Sequence, residues 1–228
     1  MNKKVVYTSV FGNYDDVVEP KLPEGWDWKC FSEQNSLPIY EDNMRNAKRY
    51  KILPHRFLKE YEISIYIDGN YIIKRDVNEL VDRYLNDANA VFHNHNSQPA
   101  YDKRNCIYYE ARTILMFGEK NMKITPERGM KNYKDNPEII VNQMKRYVND
   151  NYPEQNGLIT GGVILRRHNE KDCIKVMEDW WKEIRYGSKR DQLSFNYVAW
   201  KNKFKFNYMN SDCRDNSYFY LDKHTGKK

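Results

Sequence analysis

The chain has 228 residues, and its 38 Lys and Arg against 32 Asp and Glu give a formal net charge of +6 that is spread along the sequence. Because no block of like charges occurs, we expect no nucleic-acid partner. The four cysteines lie far apart without zinc-ligand spacing, and the N-terminal apolar run is too short for a signal-peptide core. These features predict a soluble, cytoplasmic protein whose basic surface could contact the cytoplasmic face of a membrane.

The first predicted strand covers residues 4–10 and leads into a turn-rich loop over residues 11–16. In a doubly wound sheet the loop after the first strand commonly binds a nucleotide, and Phe11 or Tyr14 could stack on its base. An ordinary aromatic loop would explain the same residues. A second strand is predicted over residues 26–32.

A helix is predicted over residues 43–53, with Asn43 as its N-cap and a proline as its stop. At the helical period, Met44, Ala47 and Lys51 share one narrow stripe. A lysine on that stripe either extends its ammonium past the edge of the core or points into the same cleft as Asp68, where it would meet phosphate oxygens.

The most informative stretch is residues 61–70, which the sequence predicts to be a buried strand ending in an acidic turn. Isoleucines alternate with other residues at the period of a strand, and both faces are largely apolar before Asp68. Asp68 and Asn70 then present two oxygen-bearing side chains at the end of the strand, where open α/β sheets bind ligands. This spacing could hold a hard divalent cation. A solvated turn is the alternative.

Further along, His93 and His95 have metal-ligand spacing, but two histidines beside a loop favour surface positions. Glu110 lies in an apolar and aromatic run and is predicted to be a buried carboxylate. Residues 121–135 are basic, contain Gly and Pro, and are predicted to form a mobile flap. Ser188 and Asp191 have the spacing of a capping box, which would give Asp191 a structural role.

Strands and helices alternate along the chain and no stretch resembles a linker, so we expect one α/β domain spanning residues 1–228. A predicted strand at residues 157–165 contains a glycine pair, Gly161 and Gly162, which indicates a bulge or the close approach of another group. No dinucleotide-binding glycine motif, P-loop or nucleophile elbow occurs, which disfavours dehydrogenases, P-loop kinases and α/β-hydrolases.

Several short motifs occur together in a characteristic order: YTxxFGxYD (7–15), RYKILPH (49–55), SIYIDGN (64–70), CIYxE (106–110), LRRHN (165–169), WW (180–181) and RDQLSF (190–195). In this order, over roughly residues 5–200, the chain resembles a family of bacterial, viral and plant glycosyltransferase-like domains.

The resemblance implies a GT-A-like fold, in which a mixed, mostly parallel sheet lies between helices and an Asp-x-Asp motif holds Mn²⁺ or Mg²⁺ against a nucleoside-diphosphate sugar. It implies that Asp68 and Asn70 occupy the Asp-x-Asp positions as metal ligands, with an amide replacing the second carboxylate. Lys51 would face the diphosphate or the sugar. The residues expected under the nucleoside are Thr8, Phe11, Tyr14 and Asp15.

A looser similarity, to glycogenin-like and galactosyltransferase-like GT-A enzymes, covers the C-terminal half. It implies that the Gly161–Gly162 pair lines the sugar pocket. The Asp191–Gln192 pair would lie beside the transferred sugar, with Asp191 as a general base in an inverting reaction or both as orienting groups in a retaining one. The chain ending resembles an element in which His224 is a third metal ligand and Lys228 binds phosphate.

These resemblances imply a metal-dependent, hexosyltransferase-like enzyme that moves a sugar from a nucleoside-diphosphate sugar, preferably a UDP-sugar, to a glycan or other hydroxyl acceptor. Its expected setting is the synthesis of a surface polysaccharide or glycoconjugate. The alternative is a non-catalytic module of the same fold that binds a nucleotide sugar or a glycan.

Overall fold

A computed structural model of the protein describes residues 3–225. The strands are β1 (Lys4–Ser9), β2 (Trp26–Phe31), β3 (Ile63–Ile67), β4 (Tyr71–Ile73), β5 (Ala90–Asn94), β6 (Ile159–Arg166), β7 (Asn207–Met209) and β8 (Phe219–Leu221). The α-helices are α1 (Asn43–Ile52), α2 (Pro54–Phe57), α3 (Val77–Tyr84), α4 (Ile107–Ile124), α5 (Pro137–Asn149), α6 (Lys171–Tyr186) and α7 (Phe195–Lys201). Short 3₁₀ helices cover His95–Ser97, Ala100–Asp102, Pro126–Asn132 and Asp191–Leu193.

Six of these strands form one sheet in the order β2-β1-β3-β6-β5-β7. Strand β6 pairs antiparallel with both β3 and β5, while the other pairings are parallel, so five strands run in one direction and β6 runs against them. A separate two-stranded sheet joins β4 to β8. The predicted mixed, mostly parallel sheet is therefore confirmed.

Each face of the large sheet carries its own hydrophobic core. In β1, Val5 and Tyr7 belong to the core that includes Trp180 of α6, whereas Val6 points to the core that includes Leu80 of α3. This split follows from the two-residue period of a strand, which sends successive side chains to opposite faces. Helices on both faces also explain why β3 is buried along its whole length, as the sequence predicts.

Helix α1 begins as predicted, but its N-cap is Asp42 rather than Asn43. The Asp42 carboxylate accepts a hydrogen bond from the backbone N–H of Met44 at 3.0 Å, which satisfies one of the free donors of the first turn. An ionised carboxylate at this end also interacts favourably with the helix dipole. Asn43 is instead the first helical residue.

The surface positions predicted for His93 and His95 are wrong, because both side chains are buried. The pairing of β5 with β6 shifts register between Phe92 and His93, and His93 Nδ1 lies 3.4 Å from Ser211 Oγ. Burial lowers the pKa of His93 to about 4, so the ring stays neutral at physiological pH.

The buried carboxylate predicted at Glu110 is confirmed, and it forms an ion pair with Arg104 at 2.6 Å. The stretch predicted as a flap is largely helical, because α4 continues through Ile124 and a 3₁₀ helix follows over Pro126–Asn132. Over residues 3–225, no helix is both long enough and apolar enough to cross a membrane.

Candidate active site

A cavity of about 450 Å³ opens at the C-terminal ends of β1 and β3. Its walls come from the loop after β1, one side of α1, the turn after β3 and the end of the chain. The residues that line it are Ser9, Val10, Phe11, Gly12, Tyr14, Asp15, Asp42, Asn43, Met44, Ala47, Lys48, Lys51, Tyr66, Asp68, Gly69, Asn70, Arg190 and His224.

The floor of this cavity is a buried network of charges centred on Asp191. Lys51 Nζ lies 2.7 Å from Asp191 Oδ2 and 3.4 Å from Asp68 Oδ1, and Lys48 Nζ lies 2.8 Å from the same Asp191 oxygen. Tyr66 donates its hydroxyl to Asp68 Oδ1 at 2.8 Å. Two lysines and two aspartates, two of them on α1, thus converge on one edge of the sheet.

The charges in this network shift one another's ionisation. Burial opposes ionisation of Asp191, but the charges of Lys48 and Lys51 outweigh it and hold the pKa of the carboxyl well below its usual range. Burial likewise disfavours the charge on Lys51, yet Asp191 and Asp68 raise its pKa overall. For Lys48 the effect of burial is larger than that of the Asp191 charge, and its pKa falls to about 8.

Lys51 extends into the cavity from the last turn of α1, and hydrogen bonds from β1 and β6 fix the position of that turn. The backbone carbonyl of Lys51 accepts hydrogen bonds from the Tyr7 hydroxyl at 2.8 Å and from Arg166 Nη2 at 2.7 Å. Arg166 is fully buried, and a guanidinium at a helix C-terminus interacts favourably with the dipole. The Lys51 side chain therefore leaves a rigid point of the scaffold.

The end of the described chain closes one side of the cavity. His224 Nδ1 lies 3.0 Å from Asp15 Oδ1, and the backbone N–H of Thr225 donates to the same oxygen at 3.3 Å. The rings of Tyr14 and His224 meet edge to face, 4.7 Å between centroids. Asn70 joins this segment as well, because its amide nitrogen donates to the carbonyl of Asp222 at 2.6 Å.

Two glycines are required by close approaches within the site. A Cβ on Gly161 would fall 2.9 Å from Asp191 Oδ2 and 3.1 Å from Lys51 Nζ, so the glycine makes room for the ion pair. A Cβ on Gly69 would fall 2.6 Å from Val10 Cγ2. The close approach anticipated at the glycine pair is thus that of the charged network, at Gly161.

The structure brings most of the predicted site residues together at this cavity. The predicted residues that line it are Phe11, Tyr14, Asp15, Lys51, Asp68, Asn70 and His224. Asp191 and Gly161 do not line the cavity themselves, but both lie next to the ammonium group of Lys51.

Four predicted residues lie away from the cavity wall or outside the described chain. Thr8 is fully buried within β1, and Gly162 packs against the Tyr71 hydroxyl. Gln192 donates its amide to the carbonyl of Ile159 at 3.0 Å. Lys228 lies outside residues 3–225.

The capping box predicted for Ser188 and Asp191 is wrong. Ser188 donates its hydroxyl to Asp135 at 2.7 Å and accepts the backbone N–H of Arg190 at 3.2 Å. The Asp191 carboxylate faces the two lysines instead. The reason is electrostatic, because two buried ammonium groups stabilise a carboxylate more strongly than one backbone N–H does.

Sequence reasoning missed two cations of the site, Lys48 and Arg190. Lys48 precedes Lys51 by three residues, and residues three apart on a helix are neighbours on its surface, so this signal was present in the sequence. Arg190 comes from the turn before the 3₁₀ helix Asp191–Leu193 and lines the cavity. Its position depends on tertiary folding.

A larger and more open depression of about 890 Å³ lies beside α7. Two of the three lysines that line it, Lys201 and Lys205, are already paired with Asp150 and Asp87, at 2.9 and 2.7 Å. The smaller cavity is the better candidate active site, because perturbed, convergent charges mark functional sites more reliably than volume does.

The donor set at the cavity is compatible with a divalent cation that also binds a substrate. Asp68 offers a carboxylate, Asn70 an amide oxygen and His224 the ring nitrogen that does not face Asp15, and such oxygen and nitrogen donors suit Mg²⁺ or Mn²⁺. Among residues 3–225, however, no three His, Cys, Asp or Glu side chains cluster closely enough to hold a metal ion on their own. A divalent cation at this site would therefore need further oxygen ligands, such as the phosphate oxygens of a bound diphosphate.

The charged cavity lies at the C-terminal ends of parallel strands, which is where open α/β sheets bind their ligands. A family model described as the TOD1/MUCI70 glycosyltransferase-like domain matches residues 26–224. The chain belongs to this family, and the glycosyltransferase-like class expected from its motifs is confirmed.

Individual relatives agree with this class. The chain is 29% identical over 194 residues to a probable hexosyltransferase, MUCI70 of Arabidopsis thaliana, in an alignment that covers 82% of this chain and 30% of the relative. The chain thus spans about a third of the length of that protein.

Two solved glycosyltransferase structures are also similar. The apo structure of the WbbM bifunctional glycosyltransferase has a TM-score of 0.41 and 14% identity, over 91% of this chain and 38% of that chain. Apo mouse xyloside xylosyltransferase 1 has a TM-score of 0.40 and 11% identity, over 91% of this chain and 84% of that chain. Because both scores are low, the class rests on the family match.

Proposed function

We propose that the protein is a metal-dependent glycosyltransferase that moves a sugar from a nucleoside-diphosphate sugar, preferably a UDP-sugar, to a hydroxyl of a glycan acceptor. A role in the synthesis of a surface polysaccharide or glycoconjugate is part of this proposal. The observation that carries it is the charge network at the floor of the cavity, in which the buried Asp191 and the partly exposed Asp68 hold the buried ammonium of Lys51. Family membership supports the same reaction class.

The cations of the cavity suit the diphosphate of the donor. Lys48, Lys51 and Arg190 all line the cavity, and positive charge there would stabilise the leaving nucleoside diphosphate as the glycosidic bond breaks. The Lys51 ammonium is nearly solvent-free, so its interaction with phosphate oxygens would be stronger than in water. Tyr14, which is more than half exposed at the cavity mouth, is available to stack on the base.

The environment of Asp191 supports an orienting and electrostatic role. A carboxyl whose pKa is held well below its usual range by two lysines is a weak base, and general bases work best with a pKa near the working pH. An ionised carboxylate behind the sugar would instead stabilise the positive charge that develops at the anomeric carbon. Gln192, anchored on the Ile159 carbonyl, would help to fix the turn that carries Asp191.

The metal ion proposed here would be held by Asp68, Asn70 and His224 together with the donor diphosphate. When bound, it would neutralise charge on the leaving group. Asp15 supports this assignment, because its carboxylate contacts the His224 ring at Nδ1 and leaves Nε2 for a ligand. Metal-binding histidines commonly have such a carboxylate behind them.

A donor screen followed by NMR of the product tests this function, because it reports the transferred sugar and the anomeric outcome together. In saturating Mn²⁺ we expect Asp68→Ala to lower kcat/KM on the order of 100-fold or more. Lys59→Met is the control, since Lys59 is exposed and does not line the cavity. Full transfer by Asp68→Ala would remove the metal role. Calorimetric binding of UDP-sugars without turnover would indicate a non-catalytic binding module.

A further inference from the structure

Helix α4 carries an apolar stripe on its outer side. Tyr109, Met116, Phe117 and Ile124 are each at least 55% exposed to solvent. Successive members of this set are seven, one and seven positions apart in the sequence. At 3.6 residues per turn, this spacing places them along one side of the helix. Met130, in the 3₁₀ helix that follows, is exposed to a similar degree and extends the apolar residues beyond the end of α4.

The inner side of the same helix already accounts for its packing. Ala111 and Ile114 are buried and form a small core with Ile140 of α5 and Leu193, which directly follows the Asp191–Gln192 pair. Gly118 is buried against the Tyr133 ring. The outer apolar stripe stays exposed over the residues that the structure describes, with Met116 at the rim of an open groove between α4 and α5. Several large apolar side chains along one exposed helix face mark an interaction surface.

Positive charge lies within and beside the apolar stripe, because Lys120 falls between Phe117 and Ile124 on the same side of the helix. The exposed cations of this region are Arg112, Lys120, Lys123, Arg128 and Lys131, and the exposed acids between them are Glu119 and Glu127. The region thus carries an excess of three positive charges. Lys120 and Lys123, the two lysines nearest to Phe117 and Ile124 along the helix, are both exposed. Lysine stems can lie along apolar surface while their ammonium groups reach anionic groups.

We propose that this outer face of α4, together with the 3₁₀ helix Pro126–Asn132, docks on the surface of a bilayer that contains anionic lipids. Exposed Phe, Met, Ile and Tyr side chains bordered by lysines and arginines are the composition of helices that lie in the plane of a membrane interface. The apolar side chains would enter the boundary between headgroups and acyl chains. The cations would contact lipid phosphates, each adding to the affinity.

Charge distinguishes a membrane from the main rival, a second copy of this chain. A dimer formed through this face would bring two cationic surfaces together, and like charges at an interface oppose association. An anionic bilayer offers acyl chains to the apolar stripe and phosphate groups to the neighbouring cations.

Co-sedimentation of the full chain with vesicles tests the proposal without donor or acceptor, so the result does not depend on sugar transfer. We expect binding to vesicles of phosphatidylcholine with phosphatidylglycerol and little binding to phosphatidylcholine alone. Lys120→Glu with Lys123→Glu should weaken binding at least about tenfold, and Phe117→Ser with Ile124→Ser should weaken it on a similar order. The matched controls are Lys59→Glu and Leu37→Ser, which change an exposed lysine and an exposed leucine elsewhere.

Binding to anionic vesicles that both α4 double variants lose and both controls keep would support the proposal, provided that circular dichroism shows all variants folded. Absence of binding by the native chain, or equal binding by the α4 variants, would overturn it. A dimer in analytical ultracentrifugation that Phe117→Ser dissociates would also overturn it, because the face would then be covered by a second copy.

Discussion

The charge network at the floor of the cavity allows a sharp test by a double-mutant cycle. Lys51→Met removes an ammonium that lies 2.7 Å from Asp191 Oδ2 while keeping most of the side-chain volume. Asp191→Asn removes the carboxylate that holds both Lys51 and Lys48. The two substitutions are combined in a third variant, and unfolding free energies are compared for all four chains.

The size of each effect follows from what is left unpaired. Breaking a buried ion pair costs about 3–5 kcal/mol when a charge remains without a partner. Lys51→Met should cost less, about 2 kcal/mol, because Asp191 keeps Lys48 at 2.8 Å. Asp191→Asn should cost about 3–5 kcal/mol, since two buried ammonium groups lose their shared carboxylate. In the double variant only Lys48 lacks its partner, so the losses should fall short of additivity by about 2 kcal/mol.

Urea titration followed by tryptophan fluorescence is the assay, because urea does not screen charges as guanidinium does. Lys59→Met, at an exposed lysine, should change stability by less than about 0.5 kcal/mol and serves as the control. Losses that add within about 0.5 kcal/mol would show that Lys51 and Asp191 are not energetically coupled and would contradict the predicted ion pair.

Three further predictions follow from the same region and from the buried histidines. Gly161→Ala should weaken UDP binding about tenfold in calorimetry, because its Cβ would fall 2.9 Å from Asp191 Oδ2 and displace the ion pair; unchanged affinity would contradict this. UDP binding should weaken as pH rises through about 8, where Lys48 loses its charge, and Lys48→Arg should abolish that dependence between pH 7 and 9.5. Burial lowers the pKa of His93 and His168 to about 4. Between that value and the ordinary pKa of histidine, the unfolded chain therefore binds more protons than the folded chain. Stability should therefore fall by about 1–2 kcal/mol per histidine between pH 7 and pH 5, and His168→Asn should remove its share; an equal pH dependence in that variant would count against it.

The fold was largely predictable because its signals are local. Alternating apolar residues in β1 and β3, and the buried strand leading to Asp68, depend on the two-residue period of a strand. The cap of α1 was missed by one residue, since Asp42 and Asn43 are both good caps and local sequence does not distinguish them. The burial of His93 escaped prediction because it depends on a register shift against β6.

The site was predictable where residues lie at strand ends and not where they meet through tertiary folding. Asp68 and Lys51 could be paired in advance because a strand end and a helix stripe pointed to one edge of the sheet. The second lysine, Lys48, could also have been predicted, because it follows from helical spacing. The position of Arg190 and the contact of Asp15 with His224 could not be predicted, because they join segments that are remote in sequence.

The contact between Asp15 and His224 has a practical consequence for handling the protein. It brings the segment through Thr225 to the mouth of the candidate active site. An affinity tag inserted directly after Thr225 would therefore begin at the donor entrance. A polyhistidine tag there would add metal-binding imidazoles beside His224 and distort any titration with Mn²⁺. An N-terminal or cleavable tag is the appropriate choice for every binding and transfer experiment described above.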